Sequence, residues 1–571
     1  EGLWRVDMAK EQIKTIKPYA REGDPKLRFN WNTPISTSAH LPDRLFVGSQ
    51  FLHRSDDRGE TWIKISPDLT TNDPAKQLQE ESGGISVDNS GAENHCTIFT
   101  IGESPLDEQV IWVGTDDGNV QVTMDGGGNW SNVTANIPGL PPNTWAYHIE
   151  PGHFDKQTAY AVFDGHTRND GRTYVYKTTD GGKTWASIVT DDIQGFARSI
   201  QEDFVNPNLL YLGTEFGLYI TVDGGRNWSK FTNNMPAVAV HHVTLHPRDN
   251  ALVLATHGRG IIIIDDVTPL RQLTPEVASK EVHFFERPPA IIKETPSLGG
   301  TSAFGEFVGD NPTSAARIVY YLKKRHTFGK MEMQVLDASG KEVANLAPGK
   351  SRGINEVLWN YRYRMPKIAA AKTFTFGGFT TPTVPPGAYT VRLTKGKEVY
   401  ETTLELVSDP ESIHSEAGRE AQHEAAMKLY HMNESLAYLI DQVDRMSEGV
   451  ETARGKAPSK KVLKLLEPFA TELKTMKEEL VVTTGDNYVG AAEPMLREKI
   501  ASLYSEVAGY AGRPSNAQME NLELLSSRLE AAQQKMGGVL ERLAGLNAVL
   551  AKEGLPEVVY RSKEEFLEAD L

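Results

Sequence analysis

Ser55-Asp56-Asp57-Arg58-Gly59-Glu60-Thr61-Trp62 is one of four stretches that fit the phrase [ST]-x-D-x-G-x-[TN]-W; the others run 123–130, 178–185 and 221–228. Four matches at five defined positions make an internal repeat. Each position has a mechanical reason. The carboxylates of Asp57, Asp125, Asp180 and Asp223 can accept backbone amides of their own turn. Gly59, Gly127, Gly182 and Gly225 supply the positive φ of a tight hairpin. Trp62, Trp130, Trp185 and Trp228 open the outgoing strand with a ring large enough to fill a gap between layers. The phrase is a turn-stabilising box, and its aspartates read as structural.

Working outward, alternating strands surround every box. Around the first lie a strand at 29–39, a second at 44–50, a third at 51–57 and a fourth from Trp62. Three more groups follow, with first strands near 96–104, 145–151 and 196–204. The tryptophans stand 68, 55 and 43 residues apart, so strands repeat while loops vary. Two alternating stretches before Phe29 read as the outer half of a further group. His241 to Ile264 reads as a last, partial group without a box. The sum is 21 strands, a little over five four-stranded blades.

The box resembles the Asp-box, or bacterial neuraminidase repeat, of sialidases, sortilin-type propellers and tandem-propeller xyloglucanases. FNWNTPIS (29–36), SPDLTTNDP (66–74), VGTDDGNVQVT (113–123), LGTEFGLYIT (212–221) and THGRGIIIIDD (256–266) are similar to the bacterial sortilin-like family, whose members are often labelled glycosyl hydrolases. The resemblance implies a β-propeller with one box per blade, boxes placed away from the binding face, an extracytoplasmic setting, and more propeller sequence before this stretch. The chain would then be the C-terminal portion of a longer member. Its start at Glu1 rather than Met carries the expectation that either a targeting segment has been removed or the chain is part of a longer product.

The fold expected is mainly β with an α-helical C-terminus. An Asp-box propeller, of about five blades or part of a larger ring, occupies 1–275. Isolated strands bounded by Gly and Pro predict an immunoglobulin- or fibronectin-like sandwich over 280–408, with the insertion 367–382 as a long loop. From 411 to 555 the apolar residues step by three and four: Leu429, Met432, Leu436, Leu439, Val443, Met446 and Val450 lead the first helix, and the third carries Leu496, Ile500, Leu503, Val507 and Tyr510. That rhythm predicts a four-helix up-down bundle, followed by a tail over 556–571.

Composition narrows function. With 60 basic and 76 acidic residues the net charge is −16, which argues against nucleic acid as a partner. No apolar run is long enough to span a bilayer. The one cysteine, Cys96, excludes an internal disulfide and a cysteine-based zinc site. No cofactor is implied.

Propeller topology sorts the remaining polar residues. Second-to-third-strand loops and blade links share the face opposite the boxes, and ligands bind there. The loops bring Asp116, Asp117, Asp164, His166, Arg168, Asp170, Glu215, His257 and Arg259. The links bring Trp145, His148, Arg198, His241 and His242. This mixture suits a protein, peptide or glycan ligand, and any solvated rim contains it too. Asp116, Asp164 and Glu215 are the candidate catalytic carboxylates for a glycoside hydrolase of the xyloglucanase type, which needs two acids about 5–9.5 Å apart. Sialidase chemistry is disfavoured, because only Arg168, Arg198 and Arg259 can be nominated for its three converging arginines and the Arg-Ile-Pro phrase is absent. His241 and His242 alternate across a strand and do not readily share a metal ion. Three functions remain: a binding and scaffold protein, a glycoside hydrolase, and an assembly factor cradling a peptide. Another chain or an upstream half can complete the ring.

Overall fold

The computed structural model describes residues 2–82, 93–294, 313–373, 375, 380–483 and 493–569. The chain divides into two compact units, Glu1–Ser279 and Lys280–Leu571.

In the first unit, every sheet is an antiparallel meander of strands in sequence order. A hairpin of β1 (Trp4–Asp7) and β2 (Gln12–Thr15) comes first. Then follow β3 (Ile35–Thr37), β4 (Leu45–Gly48), β5 (Leu52–Ser55) and β6 (Ile63–Lys64). The next sheet holds β7 (Ile98–Ser104), β8 (Asp107–Thr115), β9 (Val120–Thr123) and β10 (Ser131–Asn132). After it come β11 (Trp145–Pro151), β12 (Ala159–Gly165), β13 (Asp170–Thr178) and β14 (Ala186–Ser187). The last complete sheet is β15 (Ala197–Glu202), β16 (Leu210–Thr214), β17 (Gly217–Thr221) and β18 (Ser229–Lys230). Three strands close the series, β19 (Val240–Leu245), β20 (Leu252–Thr256) and β21 (Ile261–Ile264), before the short helices α1 (Thr268–Gln272) and α2 (Pro275–Ser279). First strands pack on first strands, β7 on β11, β11 on β15 and β15 on β19, which is how blades stack in a propeller. Apolar cores fill the seams: Trp112, Phe163 and Trp185 between two sheets, Tyr160, Leu212 and Trp228 between the next pair.

The repeat turns are the fasteners of these seams. In the first, Asp57 accepts Ser55 Oγ (2.8 Å), Thr61 N (2.9 Å) and Thr61 Oγ1 (2.6 Å), while Ser55 Oγ accepts Gly59 N at 2.7 Å. Asp125, Asp180 and Asp223 repeat the pattern with Thr123 and Asn129, Thr178 and Thr184, Thr221 and Asn227. The side-chain and backbone donors of Thr61 hold the Asp57 carboxyl down at about 2, and those of Asn129 do the same for Asp125. Three indoles donate across the seam to the preceding sheet: Trp62 to Ile16 O (2.5 Å), Trp130 to Ile65 O (3.1 Å) and Trp228 to Ile188 O (2.8 Å). Trp185 departs from this; its N–H finds no acceptor among the described residues, and its ring meets Trp112 edge-on at 5.9 Å.

Ile16 exposes an equivalence the motif hides. Its amide donates to Leu3 O, as Ile65 donates to Leu52 O, Val133 to Val120 O, Ile188 to Val175 O and Phe231 to Leu218 O. Arg5 pairs Lys14 in β1–β2 just as Arg54 pairs Ile63 in β5–β6. The opening hairpin is therefore a third-and-fourth-strand pair. Val6, Met8, Lys10, Gln12 and Ile13 occupy the five box positions, none of which keeps its box residue.

Cys96 sits at the entrance of β7 with no exposed surface and a φ of 58°. Burial, followed by the charge of Asp117, pushes its thiol up to about 12.

Among its described residues the second unit opens with eight strands in two sheets. Strands β22 (Val282–Phe284), β24 (Ala316–Leu322) and β27 (Gly353–Trp359) form one. Strands β23 (Ala290–Ile292), β25 (Met331–Leu336), β26 (Glu342–Leu346), β28 (Gly387–Lys395) and β29 (Glu398–Ser408) form the other. Their inner faces share Tyr320, Met333, Trp359, Val391 and Leu393. Serine caps then start α3 (Glu416–Gly455), α4 (Lys460–Leu480), α6 (Asn516–Lys552) and α7 (Lys563–Glu568): Ser415, Ser459, Ser515 and Ser562 each accept an amide of the first turn. Helix α5 is Leu496–Ala508. The heptad residues named above form one core, with the exception of Tyr510, half exposed because α5 stops before Gly509.

The insertion 367–382 does more than loop, as far as its described residues go; 374 and 376–379 lie outside them. Arg497, on α5, donates to Ala369 O (3.0 Å), Thr373 O (2.9 Å) and Thr373 Oγ1 (3.0 Å). Thr373 Oγ1 reaches Glu498 at 2.6 Å, and Tyr504 donates to Thr380 O at 3.0 Å. Buried Lys367 holds the carbonyls of Phe566 and Ala569 and lies over the Phe566 ring at 5.1 Å. The insertion thus ties the strands to the helices and the C-terminal segment.

Candidate functional site

Each of the four consecutive first strands carries a β-bulge at the same point. The pairing slips between Ile98 and Thr100, Ala146 and His148, Ala197 and Ser199, and Val240 and His242. The extra residues are Phe99, Tyr147, Arg198 and His241. A bulge re-aims the side chain it carries. Here three of the four meet in series, and His241 lies within electrostatic reach of the third, Arg198. Phe99 and Tyr147 lie 5.1 Å apart, and the Arg198 guanidinium covers Tyr147 at 4.4 Å. Burial holds the His241 imidazole below its ordinary value, and the charges of Arg198 and His257 add to that.

Second-to-third loops close around this row. Asp164, next to last in β12, is 2 % exposed and accepts His166 N (2.9 Å) and His166 Nδ1 (2.7 Å); Arg198 Nη1 pairs with it at 3.2 Å. Because a carboxylate only accepts, that bond calls for a proton on His166 Nδ1, and it turns Nε2 away from Asp164. His166 stacks on Phe196 at 4.7 Å, and Arg198 packs over the same ring at 4.9 Å. His241 stacks on His257 at 5.0 Å. Arg198 is nine-tenths buried, and its Nε has no acceptor among the described residues. At the other end Trp145 meets Phe99 at 5.3 Å and His95 at 6.0 Å. The row therefore has an aromatic half and a cationic half.

One residue further along the strands runs a second row, Thr100, His148, Ser199 and His242. The small Ser199 lets His148 and His242 meet edge-on at 5.4 Å, and loss of water, then the neighbouring His242, pushes His148 down to about 3. The two adjacent histidines thus part company, His241 to His257 and His242 to His148.

The other candidates go elsewhere. Asp116 has no exposed surface and accepts Thr97 N (2.8 Å), Thr97 Oγ1 (2.6 Å) and Asn30 Nδ2 (3.1 Å), with His95 at 3.6 Å; burial raises its carboxyl above the usual range. Asp117 is buried too, bridging Thr115 and Thr71. Asp170 is taken by Arg172 and Tyr174, and Arg168 by Pro142 O and Thr144. Glu215 is half-buried beside Gly195, and Arg259 is exposed on the turn between β20 and β21. Phe99, Tyr147 and Phe196 are members the sequence reading missed. Among the described residues no group of three or more His, Cys, Asp or Glu is placed to hold a metal ion.

The row and the repeat turns occupy opposite ends of the strands. Asp164 and Asp170 flank the start of β13, and Asp180 follows its end, about 30 Å away along nine residues.

No family model matches the chain, and no curated protein does. Among solved structures it is similar to an ancestral GH74 enzyme, with 14 % identity over 66 % of this chain and 45 % of that one and a TM-score of 0.32. The GH74 xyloglucanase of Xanthomonas campestris gives 10 %, 70 %, 48 % and 0.29. A structure of YCF48 bound to D1 peptide gives 14 %, 45 %, 84 % and 0.23. The chain spans about half the length of the GH74 enzymes it matches. At these scores the likeness decides neither architecture nor activity, and both rest on the geometry above. Among the described residues no helix is long and apolar enough to cross a membrane.

Proposed function

We propose that the chain is a binding and scaffold protein of the sortilin-like β-propeller type, which recognises a peptide or protein segment on the face opposite its repeat turns. The observation that carries this reading is the aligned series of bulges, which brings Phe99, Tyr147, Arg198 and His241 from four sheets to one line. Rigid aromatic and arginine side chains of this kind anchor protein contacts. Glycoside hydrolysis finds less support. Asp116 and Asp164 are buried and committed to Thr97, Asn30, His166 and Arg198, which leaves Glu215 alone among the three candidate acids. Two available carboxylates are needed.

The proposal extends to the rest of the chain. The second unit serves as an immunoglobulin-like spacer with a docking helical bundle, and the setting is extracytoplasmic. Strands from a further part of the polypeptide or from another chain complete the ring: β1 pairs only with β2 among the described strands, and Trp4 and Val6 are exposed where complete sheets bury their counterparts. The test is retention of peptides from a mixed library on the immobilised chain, alongside reducing-sugar release from xyloglucan. Retention that falls at least tenfold in Tyr147→Ala, with no sugar released, is the expected result. Sugar release abolished by Glu215→Gln would replace this reading with hydrolysis.

A further inference from the structure

The two halves of the bulge row differ in chemistry, and the difference specifies a ligand. Phe99, Trp145 and Tyr147 form a wall of rings with His95 at its edge. Arg198, His166, His241 and His257 gather beside it. Among the described residues the carboxylate paired with them is Asp164, already engaged by Arg198 and His166; Glu215 lies on the next loop, beside Gly195. Arg198 carries a permanent positive charge at this end, and the imidazoles add N–H donors beside it. Resting on the peptide-binding reading above, we infer that the row takes a peptide in which a carboxylate neighbours an aromatic or large apolar side chain. The carboxylate lies against Arg198, His241 and His257; the apolar group lies against Tyr147, Trp145 and Phe99.

The geometry supports both contacts. Arg198 is pinned by Asp164 and sandwiched by Tyr147 and Phe196, so its guanidinium is set before a ligand arrives. His241 and His257 stack face to face, and burial with the Arg198 charge holds the His241 imidazole below its ordinary value until an anion arrives. A bound carboxylate therefore draws a proton onto His241, so affinity rises as pH falls below ~6.5, while a glutamate ligand with its pKa near ~4.3 stays ionised.

The experiment uses the full chain and three blocked hexapeptides containing Phe-Glu, Phe-Gln or Ala-Glu at their centre, titrated calorimetrically at two pH values either side of the histidine range. The Phe-Glu peptide is expected to bind about tenfold tighter than either relative on the acidic side, a preference of about one pKa unit's worth of interaction. In His241→Gln and His257→Gln the preference for Glu over Gln falls to within about twofold while the preference for Phe over Ala persists. Equal binding of the three peptides, or a Glu preference unchanged in both variants, overturns the inference and leaves peptide recognition standing. Binding of none of the peptides, with no library peptide retained either, overturns both.

Discussion

Gly127 has a φ of 105°, and a Cβ built on it would stand 2.5 Å from the carbonyl oxygen of Ile65. Gly59, Gly182 and Gly225 likewise face Ile16, Val133 and Ile188, the residues or sheet positions that the tryptophans address. The glycine is needed twice, for its backbone angle and for the close approach across a seam. Gly127→Ala is expected to cost at least about 2 kcal/mol. Gly139→Ala, at a φ of 72° with open space around it, costs about 1 kcal/mol. Urea midpoints of the two variants check this, and equal shifts would remove the seam contact from the explanation. These residues could be read from the sequence because every repeat keeps the same chemistry. Of the bulge residues, topology placed Arg198 and His241 on the face, but Phe99 and Tyr147 could not be read. The four share no chemical type, and the slipped pairing that unites them leaves no mark in a pattern of alternating strands. Nor does spacing tell which carboxylate of a loop turns inward, and so Asp116 and Asp164 looked equivalent to Glu215.

Among elements, the β1–β2 hairpin shows that register outlasts motif. All five box residues are replaced, yet Leu3 and Ile16 keep the backbone bond of Leu52 and Ile65, and Arg5 and Lys14 still reach Glu60 of the next turn at 2.8 and 2.5 Å. Strand alternation alone placed it as half a sheet. Heptad spacing was as informative for α3 to α6, since burial of a stripe requires it. The insertion 367–382 was opaque, because its contacts are made by backbone carbonyls, whose partners no side-chain pattern announces. Arg497→Met removes three bonds to that insertion and strands Glu498 with a buried charge; the expected loss is about 3 kcal/mol or more. Thr373→Val, which removes one hydroxyl, costs about 1–2 kcal/mol. Denaturant unfolding followed by far-UV circular dichroism reads both, and a neutral Arg497→Met would mean that the insertion does not hold the helices.

For the whole molecule, variable loops and a constant strand frame separate two tasks. The turns that fasten sheet to sheet lie at one end of the strands, and the aromatic and cationic row lies at the other. Mutations at the first should change stability and leave ligand affinity within about twofold, since sites so far apart combine additively. The net charge of −16 makes the cationic half of the row a local exception on an acidic protein. A ligand carboxylate meets attraction there and repulsion over most of the remaining surface.

The lone thiol of Cys96 gives the molecule an internal stopwatch. Fully enclosed where the second sheet begins, and held in its unreactive protonated form, it is shielded from an alkylating reagent until that region opens. With no second sulfhydryl to confuse the signal, the rate of single-site labelling reports how often the first unit breathes. A peptide seated on the bulge row one turn of chain away should slow that clock.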